Sequence, residues 1–114
     1  MKTVFIYQEN EPLASVQVAD RFWSRFRGLM LRKSLPDGGG LLLKGCGSIH
    51  CCFMRFAIDA VYLDRELTVI GRETVRPWHL GGRYPKASSV LELAAGAADG
   101  LRPGMRLQIG EDGI

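Results

Sequence analysis

The stretch Gly45–Asp64 contains the residues best suited to chemistry. It holds all three cysteines, one of the two histidines and a methionine. If its centre forms a strand, the alternation of side chains places His50, Cys52 and Met54 on one face. Imidazole, thiolate and thioether together suit copper(I). These three residues are therefore candidate metal ligands, and Cys46 is a fourth candidate from the preceding loop.

The same side chains also fit a hydrophobic core. Residues two apart on a strand are ~6–7 Å apart at the backbone, so convergence on one metal needs a bulge. Zinc sites commonly use a closer pair, such as Cys-x2-Cys, which this sequence lacks. Cysteine and methionine are, in addition, frequent core residues. We therefore expect no resident cofactor, and copper or zinc are the metals to test.

The acidic residues allow two further interpretations. The residue types of a thiol–imidazole–carboxylate centre are present: Cys46, His50, Asp59 and Glu92. Alternatively, Arg55 and Asp59 form a buried ion pair, and His50 with Glu92 completes a polar network that fixes strand register. The sequence does not show that these groups converge, so both interpretations stay open.

Three separated motifs resemble one protein family. They are R-x-R-G-L-M at residues 25–30, S-I-H-x-x-x-M-R-x-x-I-D at 48–59 and V-L-E-L-x-x-G at 90–96. In this order they are similar to the domain-of-unknown-function 192 family, over about residues 14–110. The resemblance implies a small β fold of sandwich type with one early helix, in a prokaryotic family without a settled activity. It also places a set of residues at recurrent positions of the family: Cys46, His50, Met54, Arg55, Asp59 and Glu92. Cys51 and Cys52 fall outside that set, so a site built on them would be particular to this chain.

The pattern of apolar residues predicts the elements that position these groups. Alternating or continuous apolar runs indicate strands at Thr3–Tyr7, Leu13–Val18, Leu41–Leu43, Ile49–Phe56, Ile58–Leu63, Leu67–Gly71, Thr74–Trp78, Ser89–Leu93 and Met105–Ile109. Helical spacing after Asp20, a suitable N-cap, predicts an amphipathic helix over Arg21–Leu31. We thus predict a single domain, residues 1–114, with a mostly antiparallel β-sandwich or flattened barrel of seven to nine strands and one α-helix near the N-terminus.

Composition limits the classes of function. The chain has 114 residues, 46% hydrophobic, and a net charge of +3, which gives little reason to expect nucleic acid as a partner. No apolar run approaches the ~20 residues of a membrane span, and the first residues lack the apolar core of a signal peptide. Three clustered cysteines fit reduced thiols rather than a disulfide framework. We therefore expect a cytoplasmic protein.

The leading hypothesis is a non-enzymatic binding domain for a small molecule or a protein. The expected contact surface is near His50, Arg55, Trp78 and His79, in a cleft covered by the loops Pro36–Gly40 and His79–Pro85, because loops with exposed aromatic and charged residues often carry function. The complete set of candidate binding residues is Cys46, His50, Arg55, Asp59, Trp78, His79 and Glu92. The alternative is a soft-metal protein, or a thiol- and histidine-dependent enzyme, that uses Cys46 and His50.

Overall fold

The structure, a computed structural model, describes residues 2–19, 39–44, 48–50, 56–76 and 80–110. Within these ranges the chain is mainly β, and its strands in chain order are β1 (Lys2–Gln8), β2 (Glu11–Ala19), β3 (Gly39–Lys44), β4 (Ser48–His50), β5 (Ile58–Leu63), β6 (Val69–Val75), β7 (Leu80–Arg83), β8 (Ser89–Ala94) and β9 (Leu107–Gly110).

Seven of the strands form one mixed sheet, in the order β6-β5-β8-β3-β2-β1-β9. The strand pairs in it are antiparallel except β2–β3, which is parallel. The remaining two strands, β4 and β7, pair antiparallel in a separate small sheet. At Gly40 on β3 a side chain would meet the backbone, since a Cβ there would lie 2.5 Å from the carbonyl oxygen of Glu92 on β8.

The two edges of the large sheet are joined by backbone hydrogen bonds. The Val69 N–H at the start of β6 donates to the carbonyl of Met105 at 2.7 Å, and the Leu107 N–H at the start of β9 donates to the carbonyl of Leu67 at 2.9 Å. An isolated bridge pairs Thr68 with Arg106 between them. The sheet therefore curls until its first and last strands meet at one end.

Curling gives the sheet an inner and an outer apolar face. We call the buried apolar residues of the inner face the interior cluster; it takes residues from all seven strands and from the turns after β8: Val4, Ile6, Val16, Leu42, Val61, Leu63, Val69, Leu91, Leu93, Ala98, Leu101 and Leu107. The outer cluster lies on the opposite face of β3, β5, β6 and β8: Leu41, Leu43, Ile58, Ala60, Tyr62, Val75 and Val90. Apart from Asp59 on β5 and Ser89 and Glu92 on β8, these two strands are apolar on both faces, as is typical of strands buried on both sides.

The structure corrects the predicted fold class. The described residues are mainly β, and all strand pairs of the large sheet but β2–β3 are antiparallel, but these residues contain no helix, whereas the sequence predicted one α-helix near the N-terminus. The helix predicted over Arg21–Leu31 lies outside the described residues.

Two strand predictions were also wrong. Leu67–Gly71 and Thr74–Trp78 were predicted as separate strands, but β6 runs without a break through Arg72 and Glu73. The segment His79–Pro85 was predicted as a loop, yet it contains β7. In both places polar or glycine residues suggested a turn, although pairing with a neighbouring strand keeps the backbone extended.

Candidate functional site

The side chains of Glu73, Ala60 and Glu92 lie in one row across three neighbouring strands. Ala60 on β5 is paired with Glu73 on β6 and with Glu92 on β8. Directly paired residues of neighbouring strands have their side chains on the same face of the sheet. The row therefore presents two carboxyl groups on either side of one methyl group, and we call it the carboxyl row.

Glu92 is buried in this row without a complete set of partners. It is 2% exposed, and its Oε2 has no hydrogen-bond partner among the described residues. Its direct neighbours in the sheet are Leu41 on β3 and Ala60 on β5. Burial raises the pKa of the Glu92 carboxyl to about 8, because the charged form loses its hydration. At neutral pH this carboxyl is mainly protonated and can both donate and accept a hydrogen bond.

Glu73, in contrast, is held by two hydrogen bonds. Its Oε2 accepts one from the hydroxyl of Tyr62 at 2.8 Å and one from the backbone N–H of Gly82 at 2.7 Å. Tyr84 stacks on Tyr62 with ring centroids 3.8 Å apart. Because Gly82 belongs to β7, this bond links the two-stranded sheet to the large sheet at the Glu73 end of the carboxyl row.

The surroundings of the carboxyl row are apolar. Ala60 belongs to the outer cluster. Partly buried hydrophobic residues pack on this cluster: Phe56, Ile70, Tyr84 and Ala87. Few polar groups within an apolar lining are typical of small-molecule sites. A polar ligand atom placed here would meet Glu92 in a medium that strengthens electrostatic interactions.

Asp59 is buried on the opposite face. It pairs with Leu93, a member of the interior cluster. Its Oδ1 accepts a hydrogen bond from the hydroxyl of Thr74 at 2.7 Å, and its Oδ2 accepts from the N–H groups of Gly96 and Ala98 at 2.9 and 3.0 Å. These bonds hold the turn after β8 against the sheet. Asp59 and Glu92, both candidates from the sequence, are therefore not brought together.

The side chains of the other candidates from the sequence lie outside the described part of the chain. Cys46, Cys52, Met54, Arg55, Trp78 and His79 lie outside the described residues. His50 is described only as the backbone of β4, where it pairs with Leu80 of β7. Their assignment as binding or metal-ligating residues stays a prediction.

Sequence reasoning missed Glu73 and its partner Tyr62, whereas Gly82 and Tyr84 lie within the segment His79–Pro85 that it nominated. The signal available was the alternation of Gly71, Glu73 and Val75, which would have placed Glu73 on one face of a continuous strand. Its position beside Ala60 depends on the pairing of β5 with β6, which local patterns do not specify.

Two absences are observed in the described part of the chain. No three histidine, cysteine, aspartate or glutamate side chains within it are grouped so that they could hold a metal ion. Nor do the described residues include a helix with the length and apolarity needed to cross a membrane.

The fold resembles those of two proteins known from crystal structures. One, from Sinorhizobium meliloti, superposes with a TM-score of 0.76 at 22% identity, over 99% of this chain and 95% of its own. That protein is described as a "putative transcription regulator". The other, from Novosphingobium aromaticivorans, is a protein of unknown function with a TM-score of 0.77 at 17% identity, over 93% and 83% of the two chains. At these identities the likeness defines a class of small β-rich fold and no function.

Sequence similarity then identifies the family. Residues 5–109 match the profile of the DUF192 family, described as "Uncharacterized ACR". A UPF0127 protein of Pyrococcus abyssi is 32% identical over 102 residues, which cover 84% of this chain and 81% of that protein. A UPF0127 protein of Thermococcus sibiricus is 33% identical over 90 residues, which cover 75% of this chain and 58% of that protein. The chain belongs to the DUF192 family, which confirms the resemblance drawn from the three motifs.

Proposed function

We propose that the protein is a non-enzymatic small-molecule-binding domain whose site includes Glu92 on the outer face of the sheet. The observation that supports this is the buried Oε2 of Glu92 without a hydrogen-bond partner among the described residues. An unsatisfied buried polar group costs roughly 1–3 kcal/mol. A ligand atom that hydrogen-bonds to Oε2 removes this penalty, so the site favours the bound state.

The proposed site also includes candidate binding residues from the sequence analysis. β4 carries His50, and β4 pairs with β7, which is in turn linked to Glu73 through Gly82. This connection supports a binding site between the small sheet and the outer face. In this proposal His50, Arg55, Trp78 and His79 supply further contacts to the ligand.

Native mass spectrometry of protein purified without denaturation tests this function. We expect a bound small molecule, or uptake of one from a mixture of small metabolites. Glu92→Leu should reduce its occupancy at least tenfold, since leucine has a similar volume but makes no hydrogen bond. The same variant should remain folded, because an apolar side chain suits this face better than an unpaired carboxyl.

Glu66→Leu is the matched control. This variant has the same glutamate-to-leucine substitution on an exposed turn. The hydrogen bonds described for Glu66 are made by its backbone alone. Its occupancy should equal that of the wild type. Equal occupancy in Glu92→Leu, or no ligand from either source, would overturn the proposed function.

A further inference from the structure

We propose that the ligand carries a cationic group, a protonated amine or a guanidinium, that binds between Glu73 and Glu92 above Ala60, and that its binding releases a proton from Glu92. This inference rests on the proposed binding function and names the chemical class of the ligand. In balanced form, the neutral Glu92 carboxyl and the cation give a carboxylate–cation pair and one proton transferred to solvent.

The first support is the spacing within the carboxyl row. The strand of Ala60, β5, lies between the strands of the two glutamates, β6 and β8. Neighbouring strands are spaced by about 5 Å, so the backbones of the two glutamates are about 10 Å apart. Ala60, which is buried, has only a methyl group between them. A cationic group that donates several hydrogen bonds fits between two carboxyl groups that approach from opposite sides.

The second support is the unused acceptor capacity of both carboxyl groups. The bonds that Glu73 accepts from Tyr62 and Gly82 both end on Oε2, and among the described residues none ends on its Oε1. Glu92 Oε2 is likewise without a partner within the described part of the chain. A carboxylate has about four acceptor positions. The row thus lacks donors, which ammonium and guanidinium groups supply together with the charge that a carboxylate attracts.

The third support is the charge around the row. Within the outer cluster and the residues packed on it, the titratable side chains are Tyr62 and Tyr84. The other described side chains of the outer cluster are apolar. The donors described for Glu73 are Tyr62 and Gly82, and Oε2 of Glu92 has none, so no described basic side chain neutralises these oxygens.

Proton release makes the inference testable through pH. With a pKa of about 8 for the free protein, Glu92 is protonated in about ten molecules for each ionised one at pH 7. A cation binds the ionised form, so its Kd should fall about tenfold from pH 6 to pH 7 and become nearly constant above pH 8. A neutral ligand that accepts a hydrogen bond from the protonated form would show the opposite trend.

The experiment uses alanine-methyl NMR on the intact chain, titrated with four probes at pH 6, 7 and 8. The probes are methylguanidinium chloride, butylammonium chloride, N-methylacetamide and sodium acetate. The Ala60 methyl reports on the carboxyl row, and the Ala98 methyl, buried in the interior cluster, is the internal control. We expect the cations to shift Ala60 saturably and leave Ala98 unchanged.

Three variants separate the contributions of the carboxyl groups. Glu92→Gln should weaken cation binding at least tenfold at pH 8 and abolish its pH dependence. Glu73→Gln should weaken binding but keep the pH dependence, and Glu66→Gln should behave as the wild type. Cation binding that is unaffected by pH or by Glu92→Gln would overturn the inference, as would preference for acetate or a lack of response to every probe.

The outcomes also separate this inference from the function on which it rests. If N-methylacetamide shifts Ala60 in the wild type but not in Glu92→Leu, the binding site is real and the cationic class is wrong. If no probe binds and native mass spectrometry finds no ligand, both proposals fail.

Discussion

Glu92 is buried between Leu41 and Ala60 of the outer cluster, and its cost to the stability of the fold depends on pH. The pKa of its carboxyl is raised from 4.5 to about 8 in the folded protein by burial. Between these values the folded chain holds a proton that the unfolded chain has released. Stability must therefore fall as pH rises through this window, because the folded state is the one that binds more protons.

Glu92→Gln should remove this pH dependence, because glutamine does not titrate. Relative to the wild type, the variant should gain up to about 1.4 kcal/mol of unfolding free energy per pH unit between pH 5 and pH 8. Urea denaturation at pH 5, 6, 7 and 8 measures the difference. Glu66→Gln, the exposed counterpart, should follow the wild-type profile. Parallel profiles for the wild type and Glu92→Gln would show that Glu92 is not buried as a neutral acid.

At the scale of elements, two side chains hold the turn after β8 to the sheet: Arg72 on β6, which donates to two carbonyl groups of the turn, and Asp59. Asp59 on β5 receives backbone N–H groups from Gly96 and Ala98 and a hydroxyl from Thr74 on β6. One interpretation of the sequence paired Asp59 with Arg55, which lies outside the described residues; the described partners of Asp59 are these three donors. This is a structural use of a buried carboxyl group, since it satisfies backbone donors that the turn leaves unpaired.

Asp59→Ala should destabilise the protein by roughly 2–4 kcal/mol, because it leaves two backbone N–H groups without their acceptor. Asp59→Asn should cost less, since its carbonyl can still accept from the turn while its amide donates to the hydroxyl oxygen of Thr74. Thermal unfolding gives the stabilities, and hydrogen exchange at Gly96 and Ala98 locates the change. Equal losses in the two variants, or unchanged exchange at these amides, would contradict the assigned role.

The sequence predicts elements well where both faces of a strand are buried, and poorly where pairing alone keeps the chain extended. β5 and β8 were expected as apolar runs at nearly their observed bounds. β7 was missed because Leu80–Arg83 contains two glycines. The same limit applies to the site. Glu92 was a candidate from its own sequence context, but Glu73 is part of the row only through the register of β5 with β6.

At the scale of the whole molecule, the last strand completes an enclosure that the other strands leave open. β9 pairs with β1, and the residues before it bond to the start of β6. Leu101 and Leu107 are each 1% exposed and belong to the interior cluster. Burying two leucine side chains contributes roughly 3–6 kcal/mol, a large share of the ~5–15 kcal/mol net stability of a typical domain.

A chain that ends at Gly100 should therefore lose cooperative folding, because it lacks β9 and both leucines and leaves the interior cluster open to water. We expect a broad thermal transition and several-fold higher fluorescence of the apolar dye ANS, as in states with loose packing. A chain that ends at Gly110 keeps β9 and is the matched control; it should unfold cooperatively within a few degrees of the full-length Tm. If the chain ending at Gly100 also unfolded sharply near that temperature, the closure by β9 would not be needed for the fold.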